Sequence, residues 1–145
     1  MLNLEAKRIK VKFNKTSNKA IMEDIRLDHE FAKCTEEWGW KYHHMGVSTE
    51  EKMPDELYIP QFKLYVSGFP TSPFGIEWMR YEADSPIHPV IQKVPHPAFV
   101  VKDLDYELAN RDLKILTEPN FPSGGLRVAM IEHNGAPIEL MEFES

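Results

Sequence analysis

His96-Pro97-Ala98-Phe99-Val100-Val101-Lys102-Asp103-Leu104 opens the second half of this chain, and Asn134-Gly135-Ala136-Pro137-Ile138-Glu139-Leu140-Met141-Glu142-Phe143 closes it. The first stretch is a strong strand run. It leads to Asp103, a residue suited to capping a helix of about eight residues through Tyr106, Leu108 and Ala109. Residues 113–116 follow, then a loop over 119–125, then a strand over 126–132. Asn134-Gly135 is the commonest type I′ hairpin signal, so the last strand folds back on the one before it. The order is strand, helix, three strands.

The first half repeats this plan. Trp40-Lys41-Tyr42-His43-His44-Met45-Gly46-Val47 reads as a strand. Ser48 and Glu51 have the spacing of a capping box, with Pro54 limiting any helix there to a turn or two. Residues 58–66 alternate as one strand, 67–73 are a loop, and Gly75-Ile76-Glu77-Trp78-Met79-Arg80-Tyr81 is a further strand. Residues 84–89 read as a linker. Each half thus runs from a His on its first strand to an Ile-Glu on its last: His44 to Glu77, and His96 to Glu139. The first interval is ten residues shorter (44 to 77 against 96 to 139).

Those four side chains have a chemistry in common. A Glu between Ile and Trp, or between Ile and Leu, is desolvated once both faces of the sheet are covered, and an unpaired buried carboxylate is expensive. A cation removes that cost. Two neutral imidazoles and two carboxylates carry a net charge matched to a divalent ion. Their mixed nitrogen and oxygen donors suit zinc, nickel, iron, manganese or cobalt. Side-chain parity puts Gly46 and Ser48 on the face of His44, and Ala98 and Val100 on that of His96, leaving room for an ion and a ligand. The simpler reading is that each His is a hydrogen-bonded structural residue and that Glu77 pairs with Arg80 or Arg127. The duplicated context is what favours a metal.

The arrangement resembles the vicinal oxygen chelate superfamily, which takes in glyoxalases, bleomycin-resistance proteins and dioxygenases. The resemblance spans residues 39–145. It rests on His44-Met45-Gly46-Val47, on Gly75-Ile76-Glu77, and on the two stretches quoted at the outset. It implies an α+β fold in which two βαβββ modules, about 39–84 and 92–145, form one cupped mixed sheet around a metal. Residues 1–38 are then an N-terminal extension. Carried over position by position, the ligands are His44, Glu77, His96 and Glu139, a set similar to that of the epimerase and glyoxalase branches. The implied activity is a metal-dependent lyase or isomerase acting on a small carbonyl or vicinal-oxygen compound. The ion stabilises an enediolate, and one carboxylate, Glu77 or Glu139, serves as the catalytic base. The same resemblance admits a non-catalytic binding or resistance-type protein. The short first half departs from the pattern and implies an abbreviated or missing strand.

Other residues fall into place around this reading. Met79 and Tyr81 share the parity of Glu77, and Met141 that of Glu139, which makes them candidate walls of a substrate pocket. Arg127 is a candidate contact for an anionic substrate, or a neutraliser of a neighbouring Glu. His43 has the opposite parity to His44, so a regular strand lets only one face the cup. His44 is favoured because the residues after it align with those after His96. Trp38, Trp40 and Trp78 are apolar anchors for the core or a subunit interface.

Composition sets the outer bounds. At 42% hydrophobic and 28% charged, 145 residues form an ordinary globular domain. No apolar run approaches membrane-spanning length, and no signal-peptide pattern opens the chain. A single cysteine, Cys34, excludes an internal disulfide and a cysteine-based zinc site. A cytoplasmic protein, homodimeric, with a small-molecule substrate and no membrane partner, is the expectation. Net charge is -6, yet residues 1–20 hold six basic residues against one acid, Glu5. With no DNA-reading motif beside it, this basic arm reads as a solvated face rather than a nucleic-acid site. Ile9, Val11 and Phe13 alternate with Arg8, Lys10 and Lys12 as an edge strand, expected to complete the sheet or pair with another chain. Residues 20–35 carry a weak helical pattern through Ile21, Met22, Ile25 and Ala32.

Overall fold

A computed structural model describes residues 8–11, 22–26 and 29–145. The chain forms two compact units, Met1–Glu37 and Trp38–Ser145. In the first, β1 (Arg8–Val11) pairs antiparallel with β2 (Met22–Arg26), and a single helical turn, α1 (Lys33–Glu36), follows. Two expectations change here. The edge strand finds a partner within its own unit, with Ile9 opposite Ile25, rather than on the main sheet. The weak helix of residues 20–35 gives way to β2, because a paired strand outweighs a helical pattern that Asp24 already interrupts. Phe13, Ile21 and most of the basic arm lie outside the described residues.

The second unit is an eight-stranded mixed sheet, curled into a cup. Its first module holds β3 (Lys41–Ser48), β4 (Leu57–Ile59), β5 (Leu64–Ser67) and β6 (Ile76–Tyr81). A short helix, α2 (Pro89–Lys93), begins at the last residue of the expected linker. The second module holds β7 (His96–Val100), α3 (Leu104–Asn110), β8 (Lys114–Ser123), β9 (Leu126–His133) and β10 (Ala136–Phe143). The strand order is β4-β5-β6-β3-β7-β10-β9-β8. In each module the first strand runs parallel to the last, as β3 to β6 and β7 to β10; β3 and β7 join the modules antiparallel at the centre. The duplication read in the sequence is therefore a two-fold plan in the sheet.

The abbreviated first module keeps all four strands, although β4 has three residues, and what it lacks is the helix. The groups expected to cap that helix are used otherwise. Ser48 ends β3 and its hydroxyl donates to the Gln92 carbonyl at 2.6 Å. Thr49 N–H donates to the Met79 carbonyl, and the Thr49 hydroxyl accepts from Glu51 N–H. The single strand expected over 58–66 is broken at Pro60–Phe62, where a one-turn helical segment ends at Lys63 with φ 48°. In the second module Asp103 caps α3, its carboxylate accepting from Tyr106 N–H at 3.0 Å. Asn134 and Gly135 take φ 50° and 85°, as a type I′ turn requires. The loop expected over 119–125 is largely strand. β8 runs to Ser123 with repeated register shifts against β9, and it lies at the sheet edge, where Pro119 and Pro122 remove no needed donor.

The core of this unit is mainly apolar. Leu104 and Leu140 are fully buried, and Trp40, Met130, Ile131 and Met141 nearly so. No helix among the described residues is long and apolar enough to cross a membrane.

Candidate metal centre

The register of the four central strands β6, β3, β7 and β10 assembles the site. Glu77 lies opposite Gly46, and Gly46 opposite His96. One row along, His44 lies opposite Ala98, and Ala98 opposite Glu139. Paired residues share a face, so all six side-chain positions face the same way. Each imidazole or carboxylate is separated from the next in its row by Gly46 or Ala98. Gly46 is small for a specific reason: a Cβ there would sit 2.3 Å from His96 Cε1. The space next to His44 is thus filled by the His96 ring itself, not by room for a ligand.

The side chains converge. His96 Nε2 lies 3.6 Å from Glu139 Oε1, and His44 Nε2 lies 3.8 Å from Glu139 Oε2. His44, His96 and Glu139 each present one donor atom within 4.8 Å of the others. Glu77 stands beside this trio, its Oε1 3.9 Å from His44 Nε2. These separations are longer than hydrogen bonds. Donors held at about 2.0–2.2 Å from one ion are about 3–3.5 Å apart, so a small inward movement makes the trio a coordination set. His44 and His96 are 3% and 1% exposed, and His44 Nε2 and both His96 nitrogens are buried with no hydrogen-bond partner. The two stranded Nε2 atoms, both close to one carboxylate, fit a divalent cation. Arg80 and Arg127, the simpler partners for Glu77, are engaged elsewhere: Arg80 with Glu56 through two 2.8 Å bonds, and Arg127 with Asp105.

The electrostatics separate the two carboxylates. Burial, and then the charge of Glu139, push Glu77 up to about 7 from 4.5. Burial is the largest influence on Glu139 too and would raise it; His96, His44 and His43 together outweigh that and hold it below the usual carboxylate range. Burial lowers His44 to about 4, with His43 and His96 adding to the effect against the pull of Glu139. At neutral pH the His44 imidazole is available as a neutral ligand, as metal binding needs.

The cluster forms the floor of a cavity of about 360 Å³. Met79, Tyr81 and Met141 line it, together with apolar side chains such as Leu64, Ile91 and Val128. Arg127 does not line it: it lies on the alternate parity of β9, paired with Asp105 on α3 and 3.8 Å from Glu142. A larger hollow of about 670 Å³ around residues 67–72 shares Leu57, Val66 and Glu77 with this cavity but contains neither imidazole. One residue set aside by parity reaches the site as well. His43 lines the cavity and its Nδ1 lies 2.8 Å from His44 Nδ1, because β3 carries a bulge between Tyr42 and His44. A bulge of one residue leaves no signal in alternation alone. The adjacent His43-His44 pair was the only hint.

No protein-family model matches the chain, and no curated protein matches it. Solved structures do. The hypothetical protein BH1468 from Bacillus halodurans C-125 matches at a TM-score of 0.58 and 20% identity, over 73% of this chain and 96% of that one. Methylmalonyl-CoA epimerase from Mycobacterium tuberculosis matches at a TM-score of 0.54 and 19% identity, over 72% of this chain and 89% of that one. The sheet order and these neighbours give the chain the vicinal oxygen chelate fold. A buried His-His-Glu cluster lies at the centre of its cup.

Proposed function

We propose that the cup is the active site of a metal-dependent enzyme of the glyoxalase-like lyase or isomerase type, acting on a small carbonyl or vicinal-oxygen compound. The observation that carries this is the convergence of stranded imidazole nitrogens on Glu139 at the floor of an apolar cavity. His44, His96 and Glu139 hold a divalent ion, drawn from zinc, nickel, iron, manganese or cobalt, with Glu77 available as a fourth ligand. The ion, when bound, supplies Lewis acidity for negative charge developing on a substrate oxygen. Glu77 stands apart from the three-ligand cluster and faces the cavity, so it is the carboxylate free to take a proton from the carbon beside the carbonyl. Met79, Tyr81 and Met141 wall the substrate and keep water out. A homodimer in the cytoplasm is part of the proposal, and light scattering reads the oligomeric state.

Metal content after purification and reconstitution, compared between wild type and His96→Ala, tests the reading. Wild type is expected to hold about one ion per chain and the variant far less; equally little metal in both overturns it. Turnover follows on 2-oxoaldehydes with thiols, and on epimerisable acyl thioesters, a class suggested by the name of the epimerase neighbour. Binding without turnover across that panel would favour a sequestering protein of the same fold.

A further inference from the structure

We infer that His43 is a positioning residue that holds His44 in the tautomer whose Nε2 lone pair faces Glu139. The inference rests on the metal reading of the same site. Tyr42 pairs with Phe99 and His44 with Ala98, so His43 is the extra residue of a β-bulge, without a partner on β7. In an unbroken strand adjacent side chains point to opposite faces. The bulge re-aims one of them, and both rings reach the cavity. Two contacts fix the His43 ring. Phe69 stacks on it with centroids 4.7 Å apart and planes within 6°, and Phe143 packs against it at 5.7 Å.

The Nδ1 atoms of His43 and His44 are 2.8 Å apart, a hydrogen-bond distance. Two neutral imidazoles make that bond in one of two ways. If His43 donates, the only proton of His44 sits on Nε2. That proton then points into the cluster, where the carboxylate oxygens lie 3.8 and 3.9 Å away, and it is buried without an acceptor. If His44 donates, its Nε2 is bare and faces Glu139, the form that ligates an ion. His43 then carries its own proton on Nε2, and its ring is only half-buried. The second arrangement leaves no stranded proton and matches the ligand geometry. It is the role that a carbonyl or carboxylate behind a ligating histidine ordinarily fills, here taken by a neighbouring imidazole. The duplication does not extend to it: His96 Nδ1 is buried with no partner.

Two variants separate positioning from packing. His43→Phe keeps an aromatic ring for Phe69 to stack on but removes the acceptor. His43→Asn places an amide oxygen where the ring Nδ1 stood and restores it. Long-range proton–nitrogen correlation NMR on chelator-treated protein at neutral pH reads the His44 tautomer directly. Zinc affinity comes from competition with a chromophoric chelator. Wild type and His43→Asn are expected to show His44 protonated at Nδ1 with similar zinc affinity. His43→Phe is expected to lose that tautomer preference and about 10–100-fold in affinity. A wild-type His44 protonated at Nε2, or a His43→Phe protein unchanged in tautomer and affinity, overturns the inference. Failure of wild type to take up zinc or any of the other four metals would instead overturn the metal reading, and the tautomer spectrum would still decide the role of His43.

Discussion

Gly46→Ala adds one methyl group at the centre of the sheet, and the structure says where it goes. Its Cβ would lie 2.3 Å from His96 Cε1, 2.7 Å from His96 Nε2 and 2.8 Å from Met79 Sδ. Non-bonded carbons settle at about 3.5–4.0 Å, so the imidazole has to retreat by about 1 Å or more. Met79 is flexible and can give way. His96 cannot easily, because it is 1% exposed and its strand is hydrogen-bonded to β3 on one side and β10 on the other. Gly46 does not occupy the left-handed region, so the alanine backbone itself is unstrained and the penalty is steric. Overpacking of this kind costs about 1–3 kcal/mol. Ligand positions tolerate roughly 0.2 Å, so metal affinity should fall by at least about tenfold. Urea unfolding with and without chelator measures the first quantity, and zinc competition the second. Gly124→Ala is the control: nothing lies within 4 Å of its added Cβ and its φ is ordinary, so it should stay within about 0.5 kcal/mol of wild type. A Gly46→Ala protein matching this control in both stability and zinc affinity would show that His96 does not pack over Gly46, and the site as described would be wrong.

Glu77→Gln should stabilise the metal-stripped protein in a pH-dependent way. Below pH 4.5 the Glu77 carboxyl is protonated in folded and unfolded chains alike; between 4.5 and about 7 only the unfolded chain releases the proton, so stability falls as pH rises and then levels off. The variant should therefore gain up to about 3 kcal/mol over wild type at pH 8 and nothing at pH 4; a gain in urea unfolding that is the same at both pH values would contradict the burial of Glu77. Wild-type turnover on any substrate found should be lost in this variant while zinc stays bound; zinc lost together with turnover would make Glu77 a ligand rather than the base. Asp103→Ala removes the α3 cap and should cost about 1 kcal/mol in urea unfolding without altering zinc affinity; an unchanged midpoint would mean the cap bond is not formed in solution.

The candidate ligands were legible because the same context occurs twice. His44 and His96 stand on the first strand of each half, Glu77 and Glu139 on the last, and parallel pairing of those strands brings each His beside the Glu-bearing strand of its own half. Arg127 was legible only as a cation near a Glu. Its partner Asp105 lies on α3, and nothing local predicts that pairing. The missing helix after β3 was hidden by Ser48 and Glu51. Their capping pattern is real in sequence but is overridden once Ser48 and Thr49 bond to Gln92 and Met79, far along the chain.

The sequence by itself determined what depends on short-range chemistry. Strand-like runs marked β3, β7, β9 and β10, Asp103 the start of α3 and Asn134-Gly135 the last hairpin, since each is settled within a few residues. Tertiary structure alone decided the rest. The pairing of β1 with β2, the extension of β8 through two prolines along the sheet edge, and the bulge that turns His43 toward His44 all depend on which backbone lies alongside. A strand's register is a bond with a distant partner. One extra residue in that register reverses which face a side chain occupies, and no local pattern carries that information.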